Sequence, residues 1–324
     1  MSDKNQAPPT ERQKELLEEY DSESRYRVFS GKAAAAFVRI LSILVALYHL
    51  YGAALGTPVT LKHRSLHVAM TLGLAFLLYP FGKKGDRRKL AWWDALLALL
   101  IASIAVYVWV DYLGIISRAG IPNGLDLAFG ALLVLLVLEG ARRVTGPALP
   151  VLGILFILYA MFGKSMPGFF GHRGYTWDAL TSFLFVSTDG IYGTAVGVAA
   201  SYIFLFILFG AFMDKSGMGL FFNDIALALA GHSRGGPAKV AVIASGLLGS
   251  INGSAVANVV TTGTFTIPLM KKTGYSKEFA GAVEASASVG GQLLPPIMGA
   301  AAFIKGEIQG IQNRVIARAA LLPA

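Results

Sequence analysis

The sequence predicts an all-α integral membrane protein: a polytopic helical bundle with one re-entrant helical hairpin and one broken transmembrane helix. Three observations carry this. Of 324 residues, 55% are hydrophobic and 15% charged, with mean hydropathy +0.59, and several apolar runs approach the roughly 20 residues a membrane helix needs. One of these runs, around residues 239–260, is interrupted by Ser250, Asn252, Gly253 and Ser254. A later run is interrupted by Gly290-Gly291 and Pro295-Pro296. The formal charge of +9 does not indicate nucleic acid, because the basic residues sit between apolar runs on alternate sides. The chain has no cysteine, so neither a disulfide framework nor a thiolate metal site is available.

Residues 1–32 form a polar tail of mixed charge, expected on the cytoplasmic side. Within it, Glu11 to Glu19 reads either as a solvated stretch or as a short surface helix. The first apolar run begins too late for a secretory signal, and no small-residue cleavage site follows it. Spans are expected at about 33–55, 66–81, 92–113, 125–140 and 148–162, the second being short for a bilayer. The first four make a domain over 33–145. Arg39, near the start of the first span, is expected to snorkel. The loops alternate in basic content. Lys83, Lys84, Arg87, Arg88 and Lys89 crowd one, and Arg118 stands alone in the next. This bias puts the N-terminus in the cytoplasm.

Residues 146–193 link to the next domain. Pro167, Gly168, Gly171 and Gly174 break the chain, and Tyr175-Thr176-Trp177-Asp178 reads as an aromatic anchor with a helix cap. Residues 178–188 are expected along the outer surface. Gly193 and Gly197 form a small-xxx-small pair suited to helix packing. A sixth span, 194–213, opens a second domain over 194–304, followed by a short helix at 220–230.

The stretch 237–268 then admits two readings, a plain span or a hairpin. Arg234 and Lys239 precede it, and Lys271, Lys272 and Lys277 follow it. A hairpin keeps all of them on the cytoplasmic side. With limbs of roughly a dozen residues, about 18 Å each, its tip lies near mid-membrane. A polar turn at that depth must be buried in protein or line a cavity. Beyond it, two glycines and two prolines favour unwinding near mid-membrane, which frees carbonyl oxygens suited to Na⁺. The alternative there is a Pro-kinked packing helix. Glu284 lies seven residues, about 10 Å, beyond Lys277 and so inside the membrane. An acid at that depth is a functional candidate or a structural partner for a hairpin hydroxyl or backbone donor.

Several segments resemble one family. Phe209-Gly210-Ala211-Phe212-Met213-Asp214-Lys215-Ser216-Gly217, Gly235-Gly236-Pro237-Ala238-Lys239-Val240, and the runs 249–258 and 267–275 are similar to the membrane subunit of tripartite ATP-independent periplasmic (TRAP) transporters. The run from Glu284 to Phe303 is similar to the branch in which small and large membrane subunits are fused, which works with a TAXI-type periplasmic solute-binding protein. The resemblance implies Na⁺-coupled, elevator-type uptake of an organic anion, a carboxylate, in the inner membrane of a bacterium or archaeon. On that template Ser250, Gly253, Ser254, Ser288, Gly290, Gly291 and Pro295 hold Na⁺, while Asn252, Asn258 and Glu284 contact substrate or orient the tip. No cofactor is implied beyond Na⁺ as coupling ion. The partners implied are the binding protein and the lipid bilayer, with no nucleic acid.

The chain departs from the pattern in three places. Asn252-Gly253-Ser254 stands where many relatives have Ser-Gly-Ser, and Val289 where the fused branch has Thr. The tail 305–324 carries Lys305, Glu307 and Arg314 where an apolar continuation is expected. The sequence therefore also reads as a permease truncated after the first half of the large subunit, completed by a missing second half or surviving as a non-transporting scaffold or gene remnant. Other signals are weaker. Asn252-Gly253-Ser254 matches a glycosylation sequon in a buried setting. His63 and His67, four apart, lack an acidic or thiol partner and read as a loop or interface pair. No Gly-x-Ser-x-Gly elbow or His-Glu-x-x-His occurs, so no enzyme is expected.

Overall fold

The computed structural model describes residues 26–82, 88–118 and 121–321. Most of the polar tail, with its Glu11–Glu19 run, and Lys83, Lys84 and Arg87 lie outside them. All regular structure among the described residues is helical. Five helices are long and apolar enough to cross a membrane: Lys32–Leu55, Trp92–Val110, Gly124–Val144, Ala148–Ser165 and Thr194–Met213. The protein is a polytopic helical membrane protein, folded as two compact units that divide between Ala200 and Ser201.

The first unit opens with α1 (Lys32–Leu55). Its buried residues Val38, Val45, His49 and Gly52 fall three, four and seven apart, on one helical face. Phe37, Ile40, Leu44 and Leu47 are exposed, as lipid contact requires. Gly56 ends α1 with a φ of 100°, a conformation that favours glycine. The helix α2 (Thr60–Leu78) starts six residues before the expected second span. Its first turns carry Lys62, His63, Arg64, Ser65 and His67, which lower its hydropathy and keep it off the list of plain spans. Burial explains why such a helix is tolerated: His63, Ser65, His67, Phe76 and Leu77 are all shielded. Tyr48 Oη lies 2.9 Å from His63 Nδ1, and His49 Nε2 lies 2.8 Å from His67 Nδ1. The histidine pair thus faces α1, as an interface pair.

The helices α3 (Trp92–Val110), α4 (Tyr112–Ser117) and α5 (Gly124–Val144) follow. Asn123 and Asp126 form a reciprocal capping box at the start of α5. Phe76, Ile101, Ile104, Leu133, Phe185 and Tyr192 centre the apolar core. Ion pairs close both ends of this bundle. Asp94 pairs with Arg27 and, at 2.6 Å, with Arg143, which also bonds Glu139 at 2.7 Å. Arg27 donates to Leu77 O and Arg143 to Tyr79 O, so one acid ties the ends of α2, α3 and α5. At the other end Arg118 bonds Asp126 at 2.9 Å and Asp111 at 2.6 Å. Those two hydrogen bonds, with Asp126 first, hold its guanidinium more firmly protonated than usual.

The helix α6 (Ala148–Phe162) leads to a looped stretch and α7 (Trp177–Val186), where Thr176 Oγ1 accepts from Ala179 N. The helix α8 (Thr194–Val198) closes the unit. A Cβ on Gly197 would lie 2.5 Å from the Arg64 guanidinium, which donates to Tyr192 O. Gly197 therefore makes room for an arginine side chain.

The second unit holds α9 (Phe204–Lys215), α10 (Met218–Ala230), α11 (Gly236–Asn252), α12 (Ala255–Lys272) and α13 (Lys277–Gly290). Beyond a break come α14 (Ala300–Gln309) and α15 (Asn313–Ala320). Gly217 and Gly235 turn the chain with positive φ. Ala241, Ala244, Ser245, Gly246 and Gly249 on α11 are all buried, and small residues allow its neighbours close approach. The stretch 237–268 is two helices joined at Gly253-Ser254. Its limbs have 17 and 18 residues, longer than the dozen expected: α11 begins three residues before Lys239, and α12 runs to Lys272.

Candidate functional site

The hairpin tip and the break after α13 meet. Gly253 ends α11 at φ 62°, with its N–H on Gly249 O at 2.9 Å. Ser254 then caps α12 by accepting from Ala257 N at 3.3 Å. Asn252 Oδ1 accepts from Ser254 N at 3.0 Å, folding the turn on itself. Across from the tip, Ile297 N donates to Ser250 O at 3.0 Å. A Cβ on Gly253 would stand 2.4 Å from Met298 O, and one on Gly249 would stand 2.5 Å from Gly291 Cα. The backbones touch because three glycines leave no side chain between them. Met298 itself holds a φ of 60°, a region costly for such a residue. Pro295 lies inside the break, where the Pro295–Pro296 bond is cis.

Below this level a polar cluster joins the two limbs to α13. Glu284 is fully buried. Its carboxylate accepts from Ser245 at 3.0 Å, from Ser288 at 3.1 Å, and from Thr262 and Thr266. Asn258, also fully buried, donates through Nδ2 to Ser245 O at 2.7 Å, while its Oδ1 has no hydrogen-bond partner. No basic side chain in the described residues bonds the Glu284 carboxylate.

Of the residues singled out from sequence, Ser250, Asn252, Gly253, Ser254, Gly291 and Pro295 gather at the tip and break. Asn258, Glu284 and Ser288 lie in the cluster beneath. Ser250 Oγ donates to Leu247 O at 2.8 Å, leaving its carbonyl for Ile297. Gly290 is the last residue of α13, with open space where a Cβ would be. Val289 is 56% exposed and so points away from the buried Ser288. Sequence reasoning did not single out Ser245, Thr262 and Thr266. The latter two continue from Asn258 at intervals of four, a polar ladder on one face of an apolar helix, and that spacing was the available signal.

For a cation, the arrangement offers oxygen ligands. The C-terminal ends of α11 and α13 bring backbone carbonyls to one level, and the start of α12 brings N–H groups. Carbonyl and hydroxyl oxygens suit a hard cation, and a helix N-terminus suits an anion. Among the described residues no group of three His, Cys, Asp or Glu could hold a metal ion.

Residues 132–324 match the family model described as Tripartite ATP-independent periplasmic transporter, DctM component. The chain belongs to this family. It is 41% identical over 91 residues to the C4-dicarboxylate TRAP transporter large permease protein DctM of Vibrio cholerae, covering 28% of this chain and 20% of that protein. The protein of the same name from Pseudomonas aeruginosa is 36% identical over 125 residues, 36% of this chain and 29% of the relative. The isethionate TRAP transporter permease protein DctMQ of Oleidesulfovibrio alaskensis is 34% identical over 91 residues, 28% and 14% of the two chains. These relatives are named as transporter permeases, not enzymes. The matches span less than a third of the length of these curated relatives. No solved structure matches.

Proposed function

We propose that this chain is the membrane permease part of a secondary transporter that takes up an organic anion, a carboxylate, together with Na⁺. The observation that carries the proposal is the backbone contact between hairpin tip and broken helix, Gly249 against Gly291 and Ser250 O bonded to Ile297 N. A tip and an unwound helix at one level is how secondary transporters build ion and substrate sites. Carbonyls of Ser250, Gly253, Gly290, Gly291 and Pro295, with the Ser254 and Ser288 hydroxyls, supply the oxygens for Na⁺. Asn252 and Asn258 orient the tip toward substrate. Glu284 acts on substrate from behind, by fixing the limbs that carry the tip. The C4-dicarboxylates in the names of two relatives support a carboxylate as cargo. A periplasmic solute-binding protein of TAXI type delivers it to a permease in the inner membrane, and the hairpin unit moves as an elevator against the rest.

The test is uptake by a complete permease that contains this sequence, with a periplasmic binding protein, under an imposed Na⁺ gradient. Ser250→Ala and Gly253→Val are expected to raise the Na⁺ concentration needed for half-maximal uptake. Gly253→Val acts by driving a side chain into Met298 O. An unchanged Na⁺ requirement in both variants overturns the ion assignment.

A further inference from the structure

Between α1, α2 and α3 lies an apolar cavity of about 490 Å³. Small residues cut its floor, Ala69 and Gly73 on α2 and Ala98, Ala102 and Ala105 on α3. Its lining runs from Leu66 to Leu77 along α2 and from Val110 back to Ala98 along α3. At helical rise these lengths are about 16 and 18 Å. Half the hydrocarbon core of a bilayer is about 15 Å, so the cavity is as long as one leaflet is deep. The cavity is an open groove rather than a closed pocket, and Val106 and Val110 in its lining are exposed. Water gains nothing there, because the lining offers almost no polar atoms.

One end of the slot is chemically different. Trp109 forms it, and the indole N–H donates to Lys62 O at 3.1 Å. The Lys62 ammonium stands 5.4 Å from the Trp109 ring centroid and 4.9 Å from that of Tyr112. The two acids nearby in sequence, Asp111 and Asp126, are taken by Arg118. No carboxylate among the described residues forms an ion pair with Lys62. An aromatic pair under a cation without a counter-charge is interfacial chemistry, where lipid phosphates lie.

We propose that this slot binds one bilayer phospholipid, an acyl chain filling the cavity and the phosphate resting on Lys62. The occupant follows from two matches on the molecule: leaflet length, and a cation with no ion-pair partner at the interfacial end. The lipid would splint α1 to α2 and α3.

The full chain, purified in mild detergent and weighed intact by native mass spectrometry, is expected to retain one phospholipid. Ala102→Phe fills the slot and is expected to remove it. A second measurement leaves the slot native. Trp109 is made the single tryptophan by Trp92→Phe, Trp93→Phe and Trp177→Phe, and the chain is placed in phosphatidylcholine nanodiscs with increasing brominated phosphatidylglycerol. Quenching of Trp109 should saturate at low mole fraction, and Lys62→Gln should raise the half-point roughly fivefold. Lipid retained equally by Ala102→Phe overturns the proposal. So does quenching that merely tracks bulk lipid composition and ignores Lys62→Gln, or a lipid-free dimer that seals the slot with a second copy. Should Ala102→Phe fail to fold, the quenching decides.

Discussion

Glu284 has no cation beside it and four hydroxyls around it. Ser245 comes from one limb of the hairpin, Thr262 and Thr266 from the other, and Ser288 from the same helix as the acid. One side chain thus joins three helices in a place that water does not reach. Removing it leaves Ser288 without its acceptor and Ser245, Thr262 and Thr266 with only each other or backbone carbonyls, and an unsatisfied buried hydroxyl costs about 1–3 kcal/mol. Glu284→Ala is therefore expected to lower the detergent melting temperature clearly, and Glu284→Gln, which keeps one carbonyl acceptor, to lower it less. Equal melting of the two variants and the native chain would show that the cluster holds nothing together. Gly249 and Gly291 pose the opposite problem, since there the requirement is for an absent side chain. Gly291→Ala puts a Cβ 2.8 Å from both Gly249 Cα and Ser245 O, and backbone cannot swing aside. It is expected to abolish Na⁺-dependent uptake in a complete permease while leaving expression in the membrane intact. Uptake at native level in that variant would mean that the tip and break need not touch.

At the scale of elements, legibility from sequence followed chemistry. The hairpin was readable because lysines flank both ends and polar residues sit in the middle, and charge and depth are properties of composition. The helix α2 was harder. Its start at Thr60 was invisible to hydropathy, since His63, Ser65 and His67 read as loop until α1 is seen packing over them. The Glu284 cluster was half legible. An acid seven residues past a lysine announces its depth, but which hydroxyls meet it depends on how three helices pack. Asp94 carries no signal in the local sequence, because its pairing with Arg27 and Arg143 is tertiary. Breaking that network has a definite expectation. Asp94→Ala takes the carboxylate from the buried Arg27 and leaves the buried Arg143 with Glu139 as its acid, and loss of one partner from a buried pair costs about 3–5 kcal/mol. The first unit should then be lost to proteolysis in membranes, where Arg118→Gln, at a more exposed pair, should leave it intact. The hairpin itself makes a prediction about sidedness. Single cysteines at 236 and 274, in a chain that has no other cysteine, are expected to react with an impermeant reagent from the same face. Reaction from opposite faces would make 237–268 a plain span.

At the scale of the whole molecule the question is whether one tip and one break make a complete site. Transporters of this architecture hold substrate between two inverted repeats, each contributing a tip. The described residues contain one hairpin tip and one broken helix, and the curated relatives run several times longer than the stretch they share with this chain. The tip carbonyls and the unpartnered Asn258 Oδ1 have oxygens to offer. On the proposed reading, a facing hairpin from the rest of a permease supplies the other wall. In lipid, polar groups left facing hydrocarbon cost several kcal/mol each, so a tip without a facing partner should neither close around an ion nor carry it across. The expected outcome is specific. Proteoliposomes holding only this polypeptide, given its binding protein, a carboxylate and an inward Na⁺ gradient, should accumulate nothing above empty vesicles. Adding the remaining large-subunit segment of a complete permease as a second polypeptide should restore Na⁺-dependent accumulation. Accumulation by the single polypeptide would overturn the two-repeat reading while leaving the lipid slot of the first unit untouched, since that slot is built from α1, α2 and α3 alone.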